Sequence, residues 1–319
     1  MSKSARPDVI DHEPPADTFL EDVIAGLSAS PRTLPSKYFY DAHGSHLFDQ
    51  ITELDEYYLT DTEIGILKRH GADMASIIGP SAMVIEYGSG SSIKTRILLD
   101  HLKEPAAYVP VDISRSHLSA AAAALAEEYP DVEILPVCAD YTQDFELPIP
   151  DRPVGRRIVF FPGSTIGNFT RKEAESFLRQ ASRGTDAVLI GVDLPKDAHV
   201  LERAYDDEHG VTAAFNMNLL TRLSEELGAR LTASDFRHRA YFNEAESRIE
   251  MHLDATRATE ILIGGRSFRF EQGESIRTEY SHKYSLESFA VLASNAGLRV
   301  QKVWTDDREY FSVQYLERE

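Results

Sequence analysis

The chain has 319 residues, with 33 Lys and Arg against 52 Asp and Glu, a formal charge of −19, and 42% hydrophobic residues. That field repels phosphate backbones and anionic lipid surfaces, and no local basic patch offsets it, so nucleic acid and membrane are not expected partners. A single cysteine, Cys138, excludes an intrachain disulfide and a cysteine-based zinc site.

In chain order, residues 1–17 combine Pro and mixed charge without an apolar signal-peptide core, and read as a flexible tail on a cytoplasmic protein. Residues 18–75 are helical and turn-like, with no strand to give a sheet. Apolar strand-length runs then fall at 82–87, 107–111, 132–137, 157–161 and 187–192. Helical stretches lie between them at 92–102, 114–128 and 171–182, the last behind a Thr170 cap. This alternation predicts βαβ units and a mostly parallel sheet covered on both faces, the α/β class. From 197 to 284 the rhythm changes: helices at 200–205 and 211–227 precede short strands at 237–242, 248–254, 260–263, 267–270 and 275–284. A run of strands after helices predicts an insertion with its own small sheet. A helix at 285–296 and an antiparallel hairpin from 298–304 and 310–316 close the chain. The expected organisation is an α/β core of 76–196 and 285–319, with a smaller α+β domain of 18–75 and 197–284 that holds the substrate.

Val84-Ile85-Glu86-Tyr87-Gly88-Ser89-Gly90-Ser91-Ser92 is a strand, a glycine-rich turn and a helix start. Such a turn brings backbone close to a ligand and presents unpaired N–H groups. The third glycine of the dinucleotide fingerprint is missing, which disfavours a nicotinamide cofactor and an oxidoreductase. Glu86 before the glycines resembles the first motif of class I methyltransferases. Lys94, one turn into the helix, can reach a cofactor carboxylate, although a helix-surface Lys is more often solvated. Asp112, ending the second strand, is placed to accept ribose hydroxyls. Asp140 follows the third strand, where methyltransferases hold the adenine amino group, and Tyr141 beside it offers an aromatic face. After the fourth strand, Phe161-Pro162-Gly163-Ser164-Thr165-Ile166-Gly167-Asn168-Phe169 lies at the carboxyl edge, where Gly163 permits close backbone approach and Asn168 offers both donor and acceptor.

These residues begin to resemble a family. Gly163 to Phe169 looks like the substrate loop of histidine Nα-methyltransferases, which open ergothioneine biosynthesis. Further blocks match in order over nearly the whole chain: Lys37-Tyr38-Phe39-Tyr40-Asp41, Leu47-Phe48-Asp49-Gln50-Ile51-Thr52, Glu56-Tyr57-Tyr58 with Thr62-Glu63, Arg203-Ala204-Tyr205-Asp206-Asp207, Gly210-Val211-Thr212-Ala213-Ala214-Phe215-Asn216, Arg248-Ile249-Glu250-Met251, and Thr278-Glu279 with Ser281. The resemblance implies a Rossmann-like class I methyltransferase core, S-adenosylmethionine as cofactor with S-adenosylhomocysteine as product, no metal, and L-histidine bound between the two domains. It further implies that Glu86, Gly88, Ser89, Gly90, Lys94, Asp112, Asp140, Tyr141 and Gly163 hold the cofactor. Asn168 and Tyr205 would take the substrate carboxylate, Tyr57, Glu279, Ser281 and Met251 would surround the imidazole, and Tyr40 and Phe48 would lie near the reacting amine.

The chemistry of those residue types agrees. An Asn amide and a Tyr hydroxyl donate to a carboxylate, Glu279 accepts an imidazole N–H, and residues 279 and 281, two apart on a strand, share one face. Departures from the family pattern are His282 and Tyr284 after Ser281, and Tyr141 where the family has Phe. His43-x-x-His46 is too loose a spacing for a metal site. The expected reaction is trimethylation of the α-amine of histidine to hercynine by a monomeric enzyme. Methylation of another amino acid such as tryptophan, or a non-catalytic nucleoside-binding module, is the alternative.

Overall fold

A computed structural model describes residues 7–12, 17–90 and 93–319. The elements in chain order are β1 (Ile10–His12), α1 (Asp17–Ser28), α2 (Ala42–Thr52), α3 (Tyr58–Ile78), β2 (Ala82–Tyr87), α4 (Ile93–His101), β3 (Ala107–Asp112), α5 (Arg115–Glu128), β4 (Glu133–Ile134), β5 (Val137–Ala139), β6 (Arg156–Phe161), α6 (Arg171–Ala181), β7 (Ala187–Asp193), α7 (Ala198–Arg203) and α8 (Val211–Glu225). They continue with β8 (Phe236–Asn243), β9 (Arg248–Ala255), β10 (Thr259–Ile263), β11 (Arg266–Phe270), β12 (Ser275–His282), α9 (Leu286–Asn295), β13 (Leu298–Thr305) and β14 (Phe311–Arg318). They divide into two compact units.

The first unit comprises the described residues of Met1–Pro14 with Leu59–Pro195 and Lys283–Glu319. Its sheet runs β1-β5-β3-β2-β6-β7-β14-β13, with β4 added to β3. The strands up to β7 are parallel, and β14 and β13 close the edge antiparallel. This is a Rossmann-like sheet with a C-terminal hairpin. β2 is buried along its whole length, as a central parallel strand covered on both faces must be. Chain order reverses at β2, which lies between β3 and β6, so the loop leaving its carboxyl end sits at the topological switch point. Ile85, Val109, Val111, Val159, Phe161 and Ile190 pack against Phe177 and Leu178 of α6 and Phe289 of α9. A capping box formed by Thr170 and Glu173 starts α6.

Three expectations need correction here. The N-terminal region does give the sheet a strand: residues 10–12, read as tail, pair in parallel with Val137, Cys138 and Ala139. All three β1 residues are exposed, so this edge strand rests on backbone bonds such as Ile10 N–H to Pro136 O, 2.9 Å, and leaves no apolar pattern. Of the proposed tail, residues 1–6 and 13–16 lie outside the described residues. The strand expected over 132–137 is two short strands, because Pro136 has no N–H for a continuous ladder. Helix α3, assigned from sequence to the substrate domain, belongs to the first unit apart from its first residue.

The second unit comprises the described residues of Pro15–Tyr58 with Lys196–His282. β12, β9 and β8 form an antiparallel sheet, and β10–β11 a hairpin. That hairpin turns through Gly264 and Gly265, whose φ values of 56° and 73° are those of a two-residue primed turn. Along β9, Ile249, Met251 and Leu253 share one face and Glu250, His252 and Asp254 the other. Helix α8 lies against β8 and β9 and carries Phe215, stacked 4.5 Å from Phe39. Thr33 bridges Arg277 of β12 in parallel, which ties the N-terminal stretch to the inserted sheet.

Candidate active site

In the first unit the strand ends bear the acids expected from the sequence. Gly88 and Gly90 turn the chain with φ of 73° and 46°, which L side chains adopt only with strain. Gly88 N–H donates to Val111 O at 2.8 Å, tying the turn to the end of β3. Ser89 is buried within the turn, and Ser91 and Ser92, the rest of the motif, lie outside the described residues. Asp112 accepts from the Ser114 amide at 2.8 Å and more weakly from Gly90 N–H at 3.5 Å. Burial raises its pKa, and these amides pull against that rise. Asp140 accepts from the amide and hydroxyl of Thr142 at 3.0 and 2.6 Å, which holds the carboxylate at the end of β5. Tyr141 stacks on Tyr87 at 5.7 Å, and its ring is what a Cβ on Gly88 would meet, at 3.8 Å.

Glu86, expected at the cofactor, also holds bonds within the fold. It is 2% exposed and accepts from Thr95 Oγ1 of α4 and from Tyr108 OH of β3, the latter at 2.5 Å. The side chain therefore ties the central strand to the first helix and the neighbouring strand, and so supports the glycine turn from beneath. Burial pushes its pKa up to about 7, and the two hydroxyls only partly offset this.

Lys94 is not solvated. Its Nζ lies 2.6 Å from Glu63 Oε2, whose side chain is wholly buried, and that same oxygen accepts Gly163 N–H at 2.8 Å. Gly163 has φ of 80°, and a Cβ there would stand 3.5 Å from the Lys94 ammonium. One carboxylate from α3 thus fixes both the cation after the glycine turn and the loop after β6. Asn168 ends the short 3-10 turn of that loop, Thr165–Asn168. At its start, Ser164 Oγ accepts the Asp193 amide at 2.9 Å, and Asp193 forms a fully buried pair with Lys283 at 2.7 Å.

The donor set suits a nucleoside that carries an amino-acid tail. Asp112 and Asp140 offer acceptors to ribose hydroxyls and an exocyclic amine, Tyr141 a ring face, the glycine turn room for close approach, and Lys94 a cation for a carboxylate.

In the second unit a chain of aromatic rings joins most of the remaining predicted residues. Tyr40 meets Phe48 edge-on at 5.6 Å, Phe48 meets Tyr57 at 6.3 Å, and Tyr57 meets Tyr205 at 6.0 Å. Tyr205 OH and Ser281 Oγ are hydrogen-bonded at 2.7 Å. In the β12–β9 register Glu279 lies opposite Met251 and Ser281 opposite Ile249, on the inward face of the sheet. A bulge between Arg277 and Glu279 inserts Thr278, so the inward face of β12 passes from Ile276 to Glu279 and Ser281. Tyr40, Phe48, Tyr57, Tyr205, Met251, Glu279 and Ser281 thus belong to one compact unit, and Asn168 to the other.

A family model described as a histidine-specific, S-adenosylmethionine-dependent methyltransferase matches residues 19–318. The chain belongs to this family. It is 43% identical over 306 residues to a histidine N-alpha-methyltransferase of Mycolicibacterium smegmatis, covering 93% of this chain and 94% of the relative. It is 42% identical over 301 residues to the protein of the same name from Mycobacterium tuberculosis, covering 92% of each. Ergothioneine biosynthesis protein 1 of Neurospora crassa is 34% identical over 290 residues, 88% of this chain and 32% of that longer protein.

For a member of the histidine-specific methyltransferases, three residues matter that sequence reading did not single out. Glu63 sits four residues after Leu59 and four before Leu67, on the buried stripe of α3, and an acid on such a stripe signals a buried partner. Phe215 touches both Tyr40 and Phe48, at 5.7 and 5.9 Å, and holds those rings together. His238 of β8 reaches the backbone of Tyr205, and no local pattern marks it.

Proposed function

We propose that this enzyme transfers three methyl groups in succession from S-adenosylmethionine to the α-amine of L-histidine, giving the quaternary betaine. The observation that carries the reading is the inward face of β12 and β9. There Glu279, Ser281 and Met251 share one surface, with Tyr205 bonded to Ser281, in a chain of the histidine-specific family. An imidazole needs an acceptor for its N–H and a hydroxyl that donates or accepts at its other nitrogen, and Glu279 and Ser281 are those two groups. Asn168 and the Tyr205 hydroxyl are the neutral donors for the substrate carboxylate. In the first unit Asp112 takes the ribose, Asp140 and Tyr141 the adenine, Lys94 the methionine carboxylate, and the turn at Gly88, Ser89 and Gly90 with Gly163 gives the backbone approach.

S-adenosylmethionine, when bound, supplies an electrophilic methyl on a sulfonium. The protein's own contribution is alignment, since holding two reactants in line removes an entropic cost of several kcal/mol. The amine must lose a proton before each transfer, and holding it beside a cation disfavours its charged form. Tyr40 is the hydroxyl suited to relay that proton to water. The rings of Tyr40 and Phe48 face a cation that grows with each methyl, and each stabilises it by about 0.5–2 kcal/mol where water is excluded.

Glu279→Ala tests the reading. It is expected to lower kcat/KM for histidine by up to roughly 10⁴-fold, the scale for a site built to hydrogen-bond a substrate N–H, with S-adenosylmethionine affinity unchanged. Equal loss of both would overturn the assignment.

A further inference from the structure

His238 on β8 has a side chain that is 3% exposed, and its Nε2 lies 2.9 Å from the carbonyl oxygen of Tyr205. A carbonyl only accepts, so the ring proton is on Nε2 and Nδ1 is left as an acceptor. Nδ1 is matched by the Asn216 side-chain amide, whose Nδ2 donates to it at 2.8 Å and to His252 O at 3.0 Å. Both of these bonds need N–H donors, which fixes the Asn216 orientation. Its Oδ1 is then buried with no hydrogen-bond partner among the described residues. Asn216 thus orients the imidazole at one nitrogen, and the imidazole binds Tyr205 at the other.

Tyr205 needs such a hold. It follows the end of α7, outside any strand, and its own N–H makes a turn bond to Glu202 O at 3.0 Å. Its ring carries the hydroxyl that bonds Ser281 and lies beside Tyr57. A small rotation of the backbone at 205 is magnified at the phenol oxygen, at the far end of a rigid ring.

We propose that His238, oriented by Asn216, is a positioning residue that sets the Tyr205 hydroxyl for the substrate. The inference rests on the reading that Tyr205 belongs to the histidine pocket. In that reading His238 acts on histidine recognition and leaves the cofactor site alone, whereas a purely structural histidine affects both through loss of folded protein.

The test uses the full chain and compares His238→Asn, His238→Gln and Tyr205→Phe by steady-state kinetics with histidine and by direct titration with S-adenosylmethionine. A Gln amide nitrogen reaches the place of Nε2 and keeps the bond to Tyr205 O, while the shorter Asn side chain does not reach it. His238→Asn is expected to raise the histidine KM on the order of tenfold, the effect of losing one positioning hydrogen bond, with S-adenosylmethionine affinity unchanged, and His238→Gln to restore most of the loss. Should His238→Asn not fold, Asn216→Ala frees the ring and should raise the histidine KM in the same selective way. A KM that Tyr205→Phe moves but His238→Asn, or Asn216→Ala in its place, does not overturns this inference alone. Equal losses in histidine KM and cofactor affinity for His238→Asn and His238→Gln also overturn it, as a structural role. A KM that Tyr205→Phe leaves unmoved overturns the pocket reading and this inference with it.

Discussion

Glu86 in the first unit and Glu250 in the second are both largely withdrawn from water, yet they titrate in opposite directions. Burial lifts Glu86 to about 7 because its donors, Thr95 and Tyr108, are neutral hydroxyls. Burial also pushes Glu250 upward, but bonds from Arg248, Asn243 and His252 outweigh it and hold the carboxyl at about 2. Cations and neutral donors thus do different work in the two units. The first unit surrounds its switch point with acids that face hydroxyls and amides, and burial raises Asp112 as well; such groups suit the hydroxyls and amine of a nucleoside. The second unit sets cations on the outer face of the small sheet, where Arg248 and Arg277 lie 3.7 and 3.9 Å from the ring of Tyr280. Its inner face is left to aromatic rings, hydroxyls, Met251 and Glu279.

The division of labour breaks most readily at Glu279→Ala, whose expected loss is confined to histidine turnover. Next in size is Glu63→Gln. It leaves the Lys94 ammonium, on a side chain 18% exposed, without its counter-charge, and removes the charged acceptor of Gly163 N–H. Breaking a buried pair on one side costs about 3–5 kcal/mol, so chemical denaturation should show a loss of that order. A loss below about 1 kcal/mol would mean that the pair contributes no more than an exposed one.

Glu86→Gln sharpens the contrast through pH. Glu86 binds its proton more tightly folded than unfolded, so its contribution to stability is complete below its ordinary value of 4.5 and is lost as pH rises through about 7. The shift is worth about 3 kcal/mol. Gln accepts from the same hydroxyls and cannot ionise, so the variant should gain on the wild type by about that amount between pH 4.5 and a pH well above 7. A stability difference that stays flat with pH contradicts a raised Glu86. The smallest effect is expected at Asp112→Ala, which removes one charged acceptor and should weaken S-adenosylmethionine by about 1.5–3 kcal/mol, or ten- to a hundredfold in Kd. Histidine KM measured at saturating cofactor should stay as it is, and a change there would blur the separation of roles.

The first unit was legible in sequence because each βα step is local. The strands bracketed by Gly, Pro and Asp, the glycine turn, and acids at successive strand ends all report on their own neighbourhoods. Failures fell where the signal is not local: β1 is held by backbone bonds on an exposed edge, and Glu63 meets Lys94 and Gly163 across long sequence separations. The strand-end position of Glu86 suggests a ligand group, and its bonds to Thr95 and Tyr108, which lie in other elements, leave no local trace. In the second unit the strands alternate visibly, but no spacing rule brings Tyr40, Tyr57, Tyr205 and Ser281 into contact. Those residues were legible only through likeness to a family, and His238, which no quoted block contains, stayed hidden.

The central claim is tested most directly by incubating the purified chain with S-adenosylmethionine and an equimolar mixture of the twenty amino acids and weighing the products. The account predicts three added methyls on histidine, with monomethyl and dimethyl forms appearing first, and no methylation of the other nineteen. Methylation of a different amino acid, or none despite bound cofactor, would contradict it.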